Sequence, residues 1–194
     1  MNALRYYLAL AQAVTLPPLL LPWLLIHPFI SFWRRVGPTL TYALVGALIV
    51  LGAAGIFRGR ATLLAVDFGT SYPLLVLGVL LVAGSTWLGL VLWRHIGTLT
   101  ILGLPELSPE RNPIRLVTSG PYARIRHPRY VQLYLGFLGF ACIANYPAAY
   151  VAVALWLPGI YVIVLFEEKE LRQRFGQEYE EYSRQVPRFV PRFK

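Results

Sequence analysis

Long apolar runs separated by short polar breaks organise this chain. Stretches at roughly 4–32, 38–57, 73–96, 128–145 and 147–166 are dominated by aliphatic, small and aromatic residues, and a helix that spans a bilayer needs about 20 such positions. The pattern predicts an all-α fold: an integral membrane helical bundle of about five transmembrane helices. Pro17, Pro18, Pro22 and Pro28 fall in the first run, so a kink or break is expected there. The fourth and fifth runs are separated only by Asn145, Tyr146 and Pro147, which reads as a tight helical hairpin with Pro147 in the first turn of the last helix. Beyond residue 166 the segment FEEKELRQRFGQEYEEYS stays helical in pattern but turns polar, with a break expected at Gly176. This forms a carboxyl-terminal extension outside the membrane.

Composition agrees with that reading. Hydrophobic residues make up 57% of the chain and charged residues 14%, against about 25% charged in soluble domains. The amino-terminal run has no small-residue cleavage site after it and is read as a retained span. The whole of 1–194 reads as a single membrane domain, with 1–97 carrying the amino-terminal spans and 98–194 the chemistry-bearing part. Within the latter, 98–127 is the longest weakly apolar stretch, broken by Pro105, Pro109, Pro113 and Pro121.

The net charge of +9 changes the picture only through its placement. Arg34 and Arg35 close the first run, Arg94 and His95 the third, and Arg111, Arg115, Arg124, Arg126 and Arg129 precede the fourth. Basic residues at span ends point to lipid headgroups and the positive-inside rule, and not to nucleic acid. The bias predicts a cytoplasmic carboxyl terminus and an outside amino terminus, with Arg5, Arg58 and Arg60 on the opposite face. Cys142 is the sole cysteine and no two of the three histidines have metal-ligand spacing, so no metal site is expected. Glycines 78, 84 and 89 are expected to permit close packing of the third span, and Tyr179 and Tyr182 to pack the tail helix against the core.

Two polar constellations lie on the same predicted face. In GPYARIRHPRY at 120–130, Pro128 starts a helix with His127 near its cap. A helix start attracts anions, and Arg126 and His127 add donors to it. Glu167 and Glu168 follow the apolar IYVIVLF directly, where carboxylates persist only if they meet water, arginines or a cationic ligand. Together the pair suits a zwitterionic ligand with a carboxylate and a positive centre.

The order LVTSGPYARIRHPRY at 116–130, EEKELRQRFGQEYEEY at 167–182 and VPRFVP at 186–191 resembles the isoprenylcysteine carboxyl methyltransferases and their phospholipid methyltransferase relatives. The likeness covers 116–194; the earlier spans match only in being hydrophobic. It implies a membrane-embedded S-adenosylmethionine-dependent methyltransferase whose cofactor pocket faces the cytoplasm and whose lipophilic acceptor arrives from the bilayer. Carried over position by position, Leu116, Val117, Gly120 and Tyr122 line the cofactor pocket. Arg126 and His127 meet the methionine portion, Tyr130 closes over it, and Glu167 belongs to the cofactor wall. Glu168, with Arg126 and His127, forms the catalytic group, and orients the acceptor or takes its proton. Prenylcysteine enzymes of this family carry an arginine five residues before the second glutamate; here Ile163 stands there, which argues against a prenylcysteine carboxylate as acceptor. Two rivals remain: an NADPH-dependent membrane enzyme like the sterol reductases, and a non-catalytic scaffold that keeps the pocket's shape.

Overall fold

The computed structural model describes residues 2–95 and 115–192. The expectations placed on 98–114, including Arg111 and three of the four loop prolines, lie outside the described residues. Among those described, every regular element is helical. In chain order these are α1 (Asn2–Ile26), α2 (Ile30–Val36), α3 (Pro38–Arg58), the single turn α4 (Arg60–Leu63), α5 (Tyr72–Trp93), α6 (Pro128–Ala144), α7 (Pro147–Phe175) and α8 (Gln177–Gln185). Short 3-10 turns at His27–Phe29 and Gly120–Ala123 complete the set.

Helices α1, α3, α5 and α7 are long and apolar enough to cross a membrane. Helix α6 is 17 residues long, about 26 Å at 1.5 Å per residue, and lies among them as the shorter fifth segment. The first span is shorter than its apolar run: α1 carries Pro17, Pro18 and Pro22 internally but ends at Ile26. Pro28 lies in the 3-10 turn that follows, His27–Phe29. The chain then re-enters helix as α2, which carries Arg34 and Arg35 in its last turn.

Helix α1 is the hub. It buries Ala9, Ala13, Leu16 and Leu20 and packs against α3, α6 and α7. Backbone carbonyls supply polar anchors inside this apolar interior. Trp156 of α7 donates its indole N–H to the Leu16 carbonyl at 2.7 Å, and Gln12 of α1 donates to the Phe137 carbonyl of α6 at 2.7 Å. Polar side chains that bond across helices are a recognised glue in membranes.

Helix α5 lies along the other side of α6. Their contact depends on two facing glycines: a Cβ on Gly78 would sit 2.6 Å from the Gly139 carbonyl oxygen, and one on Gly139 would sit 2.8 Å from that of Gly78. Small residues let membrane helices approach this closely. Ser85 and Gln132 hydrogen-bond across the same seam. Gly89 makes only ordinary contact with Gln132, and Gly84 has nothing within 4 Å, so the expected packing role holds for Gly78 and not for Gly84.

The hairpin between α6 and α7 forms as expected, with Asn145 in the left-handed region at φ 55° and Pro147 in the first turn of α7. Helix α7 then runs for 29 residues, about 43 Å. A hydrocarbon core of about 30 Å needs about 20 of them, so 147–166 crosses and Glu167 begins the part that projects beyond. Gly176 breaks the helix and α8 packs back against the end of α7.

Candidate functional site

The site lies where the start of α6, the end of α7 and the tail meet. Pro128 ends the loop and begins α6, leaving His127 at its N-cap with no side-chain capping bond. The backbone N–H groups of Arg126 and His127 donate to the carbonyls of Pro187 and Arg188, at 2.8 and 3.1 Å. The tail thus crosses the helix start as a strap.

Glu168 is fully buried at the centre. Its Oε1 accepts from Arg126 Nη2 at 2.7 Å and Nε at 3.2 Å, and from Arg188 Nε at 3.0 Å, and lies 3.3 Å from His127 Nε2. Its Oε2 accepts from Arg188 Nη2 at 2.9 Å and Arg172 Nη2 at 3.4 Å. Burial works to raise the pKa of this carboxyl, but the hydrogen bonds from His127, Arg188 and Arg126 prevail and hold it well below the usual glutamate range. Arg126 also donates to the carbonyls of Ser183 and Val186, so its whole guanidinium is committed. The anion-attracting helix start and one of the two glutamates therefore satisfy each other.

Glu167 is placed differently. Its Oε2 is buried without a hydrogen-bond partner. His127 Nδ1 lies 3.6 Å from it, too far for a hydrogen bond. The His127 ring is itself 4% exposed and flanked by Tyr130 and Phe189, each with its ring centre 5.9 Å away.

The loop side is built by the 3-10 turn at Gly120–Ala123. Gly120 has φ +61°, and a Cβ there would lie 2.3 Å from His95 Nε2 at the end of α5, so both backbone and space require glycine. Leu116 and Val117 are half-buried on the segment entering the turn. The Tyr122 carbonyl accepts from the Tyr182 hydroxyl at 2.7 Å, tying this turn to α8. Burial pushes the Tyr182 phenol up to about 12, with Arg126 opposing, so it remains a donor. Burial, reinforced by the charge of Glu167, also raises Tyr122.

Arg126, His127, Tyr130, Glu167, Glu168 and Tyr122 thus converge from three chain segments. Sequence reasoning singled out neither Arg188, although it lies inside the VPRFVP motif, nor Arg172. Both bind Glu168. Tyr179 packs the tail helix as expected, being 1% exposed, but its hydroxyl is buried and has no partner. Three guanidiniums therefore gather on Glu168, beside an unused Glu167 oxygen and an unused Tyr179 phenol.

The chain is 34% identical over 128 residues to the cobalt-zinc-cadmium resistance protein CzcN of Cupriavidus metallidurans, covering 60% of this chain and 59% of that protein. It is 30% identical over 132 residues to methanethiol S-methyltransferase of Crocosphaera subtropica, covering 62% and 46%. It is 33% identical over 78 residues to protein-S-isoprenylcysteine O-methyltransferase B of Arabidopsis thaliana, covering 40% of each. The chain therefore spans about two fifths to three fifths of these relatives. No solved structure matches it significantly. The phospholipid methyltransferase profile matches residues 73–178, which run from the start of α5 through the helix start, the glutamate pair and into α8. With more than half of its length so matched, this chain belongs to the phospholipid methyltransferase family.

Proposed function

We propose that this protein is an integral membrane methyltransferase that takes its methyl group from S-adenosylmethionine and passes it to a lipophilic acceptor. The observation that carries the reading is the pair of successive glutamates at the end of α7, one fully engaged by cations and the other with a buried oxygen left open. A ligand with a cationic centre and a carboxylate suits that wall, since the guanidiniums outnumber the carboxylates. When bound, the cofactor supplies an electrophilic methyl group on a positively charged sulfur.

The chain's own residues do the positioning. Glu167 presents negative charge toward the positive part of the ligand, and His127, Tyr130 and Phe189 give an aromatic wall beside it. Tyr122, Gly120, Val117 and Leu116 form the loop side. Alignment of donor and acceptor is worth up to about 7–11 kcal/mol of barrier, and fixed side chains are what maintain it. Glu168, ionised and with both oxygens engaged, is a poor proton acceptor. In this reading it fixes α6, α7 and the tail in register. Ile163 is 1% exposed within the apolar interior, one and a half turns before Glu168, which favours a neutral or amine- or thiol-bearing acceptor over a carboxylate. We place the site on the cytoplasmic side on charge grounds, because most of the basic residues at span ends gather there.

The test is ligand-dependent thermal stability of the detergent-solubilised protein. S-adenosylhomocysteine is expected to raise the melting temperature by mass action, and NADPH to leave it unchanged. Incubating native membranes with deuterated-methyl S-adenosylmethionine and resolving the lipids by mass spectrometry then identifies the acceptor. A shift with NADPH alone would move the protein to the reductase class.

A further inference from the structure

A buried hydroxyl with no partner is costly, about 1–3 kcal/mol in proteins, and native structures keep few of them. Tyr179 is such a case: 1% exposed, in the first turn of α8, with its ring packed against Tyr182 and its hydroxyl unpaired. Its packing role needs only the ring, and phenylalanine would serve that role without the penalty. Its surroundings are those of the glutamate site. The Arg172 guanidinium lies 6.0 Å from its ring centre, and Glu168, Arg126 and Glu167 all act on it electrostatically. The second unpaired atom of the region is Glu167 Oε2. One is a neutral donor beside surplus guanidinium charge, and the other is an anionic acceptor.

We infer that Tyr179 is a ligand-binding residue: its hydroxyl donates to the carboxylate of an α-amino-acid group whose ammonium is accepted by Glu167 Oε2. The inference rests on the proposed cofactor and deepens it, because the methionyl end of that cofactor carries both groups on one carbon. It also shifts work from Arg126, whose guanidinium is committed to Glu168 and the tail carbonyls. The surplus cations supply the field and Tyr179 the directed bond. A free amino acid offers the same two charges, so the experiment must separate the two sources.

The full-length chain in detergent is titrated calorimetrically with S-adenosylhomocysteine, with its decarboxylated analogue, and with methionine. The unmodified protein is expected to bind S-adenosylhomocysteine, to bind the decarboxylated analogue about tenfold or more weakly, and to bind methionine far more weakly than either. Tyr179→Phe is expected to lose about tenfold for S-adenosylhomocysteine and almost nothing for the decarboxylated analogue. Its ligand-free melting temperature should stay level or rise, because an unpaired buried hydroxyl has been removed. Glu167→Gln gives an independent reading: it should weaken S-adenosylhomocysteine while sparing a deaminated analogue. Equal losses for both ligands in Tyr179→Phe, or no loss for either, would overturn the assignment. So would a lower ligand-free melting temperature with the carboxylate preference intact. If methionine binds as tightly as S-adenosylhomocysteine, the subsite belongs to a free amino acid. If the unmodified protein binds none of the three, the cofactor reading itself falls, together with this inference.

Discussion

The two ends of the bundle each bury a charged side chain, Arg5 at one and Glu168 at the other, and they use it in opposite ways. At the hairpin end, Arg5 is 4% exposed. It donates to the Ala144 carbonyl at 3.0 Å, pairs with Asp67 through both terminal nitrogens, and reaches Thr70. Its guanidinium also lies 5.5 Å from the Tyr146 ring centre. One cation meets one anion, and the neighbouring Asn145 is satisfied by Gly69 and Tyr150. Nothing in this set is left over. It ties the start of α1, the loop before α5 and the α6–α7 turn together.

At the other end, one buried carboxylate collects Arg126, Arg172, Arg188 and His127. Charge is in surplus, and two buried polar atoms nearby have no partner. The charges at the hairpin end close on one another, whereas at the other end Arg188 and Arg172 stay 35% and 46% exposed and two buried polar atoms are left open. That contrast is what separates a closed clamp from a candidate site.

The largest expected effect follows from removing the centre of the unbalanced end. Glu168→Gln leaves guanidiniums facing each other without their counter-ion, and breaking a buried ion pair from one side costs about 3–5 kcal/mol. Thermal unfolding in detergent should fall by about 10 °C. The same variant fixes the pH dependence. The folded-state pKa of Glu168 is depressed, so its stabilising contribution is complete above the ordinary value near 4.5 and is lost as pH falls toward the folded value. Melting curves of the unmodified protein and Glu168→Gln should therefore run apart between pH 5 and 8 and converge below about 4.5.

A smaller loss is expected at the balanced end. Arg5→Met keeps the stem and strands Asp67, but that side chain is 36% exposed and can be hydrated. The cost should be about 1–2 kcal/mol, with S-adenosylhomocysteine affinity unchanged by calorimetry. A change in ligand affinity in Arg5→Met would break the division between clamp and site. Asp67 is likewise held below its usual range, burial being outweighed by the Arg5 bonds, so this end also weakens only in acid. The smallest effect is expected for Arg172→Gln. Its side chain is 46% exposed and its bond to Glu168 is long at 3.4 Å, so stability should move by no more than about 0.5 kcal/mol. Any larger loss should appear in ligand affinity, because the surplus charge has been reduced.

The expectations that held came from local rules. Pro128 and Pro147 at helix starts, Gly176 at a helix end and the hairpin at Asn145 follow from backbone sterics, which act on a few neighbouring residues. Length and apolarity alone identified the spans. The first span shows where this runs out: 4–32 is a single apolar run, yet α1 stops at Ile26 and a 3-10 turn at His27–Phe29 follows, while Pro17, Pro18 and Pro22 stay inside the helix. Glycine spacing was likewise ambiguous, since Gly78 and Gly84 look alike in sequence and only one faces α6.

Sequence alone determined that the chain is a membrane-embedded helical bundle, and it singled out the RHP and EE segments as the candidate site, because hydropathy and residue type are properties of the segments themselves. Only the tertiary structure decided which charges cancel. Arg126 and Glu168 lie 42 positions apart, and Arg188 another 20 beyond the glutamate, so nothing in their spacing says that they meet. Their meeting spends the most obvious anion-binding group on an internal partner and leaves Glu167 and Tyr179 open. Which polar atoms remain for a ligand depends on long-range packing, where each donor is claimed by whichever acceptor the fold brings closest.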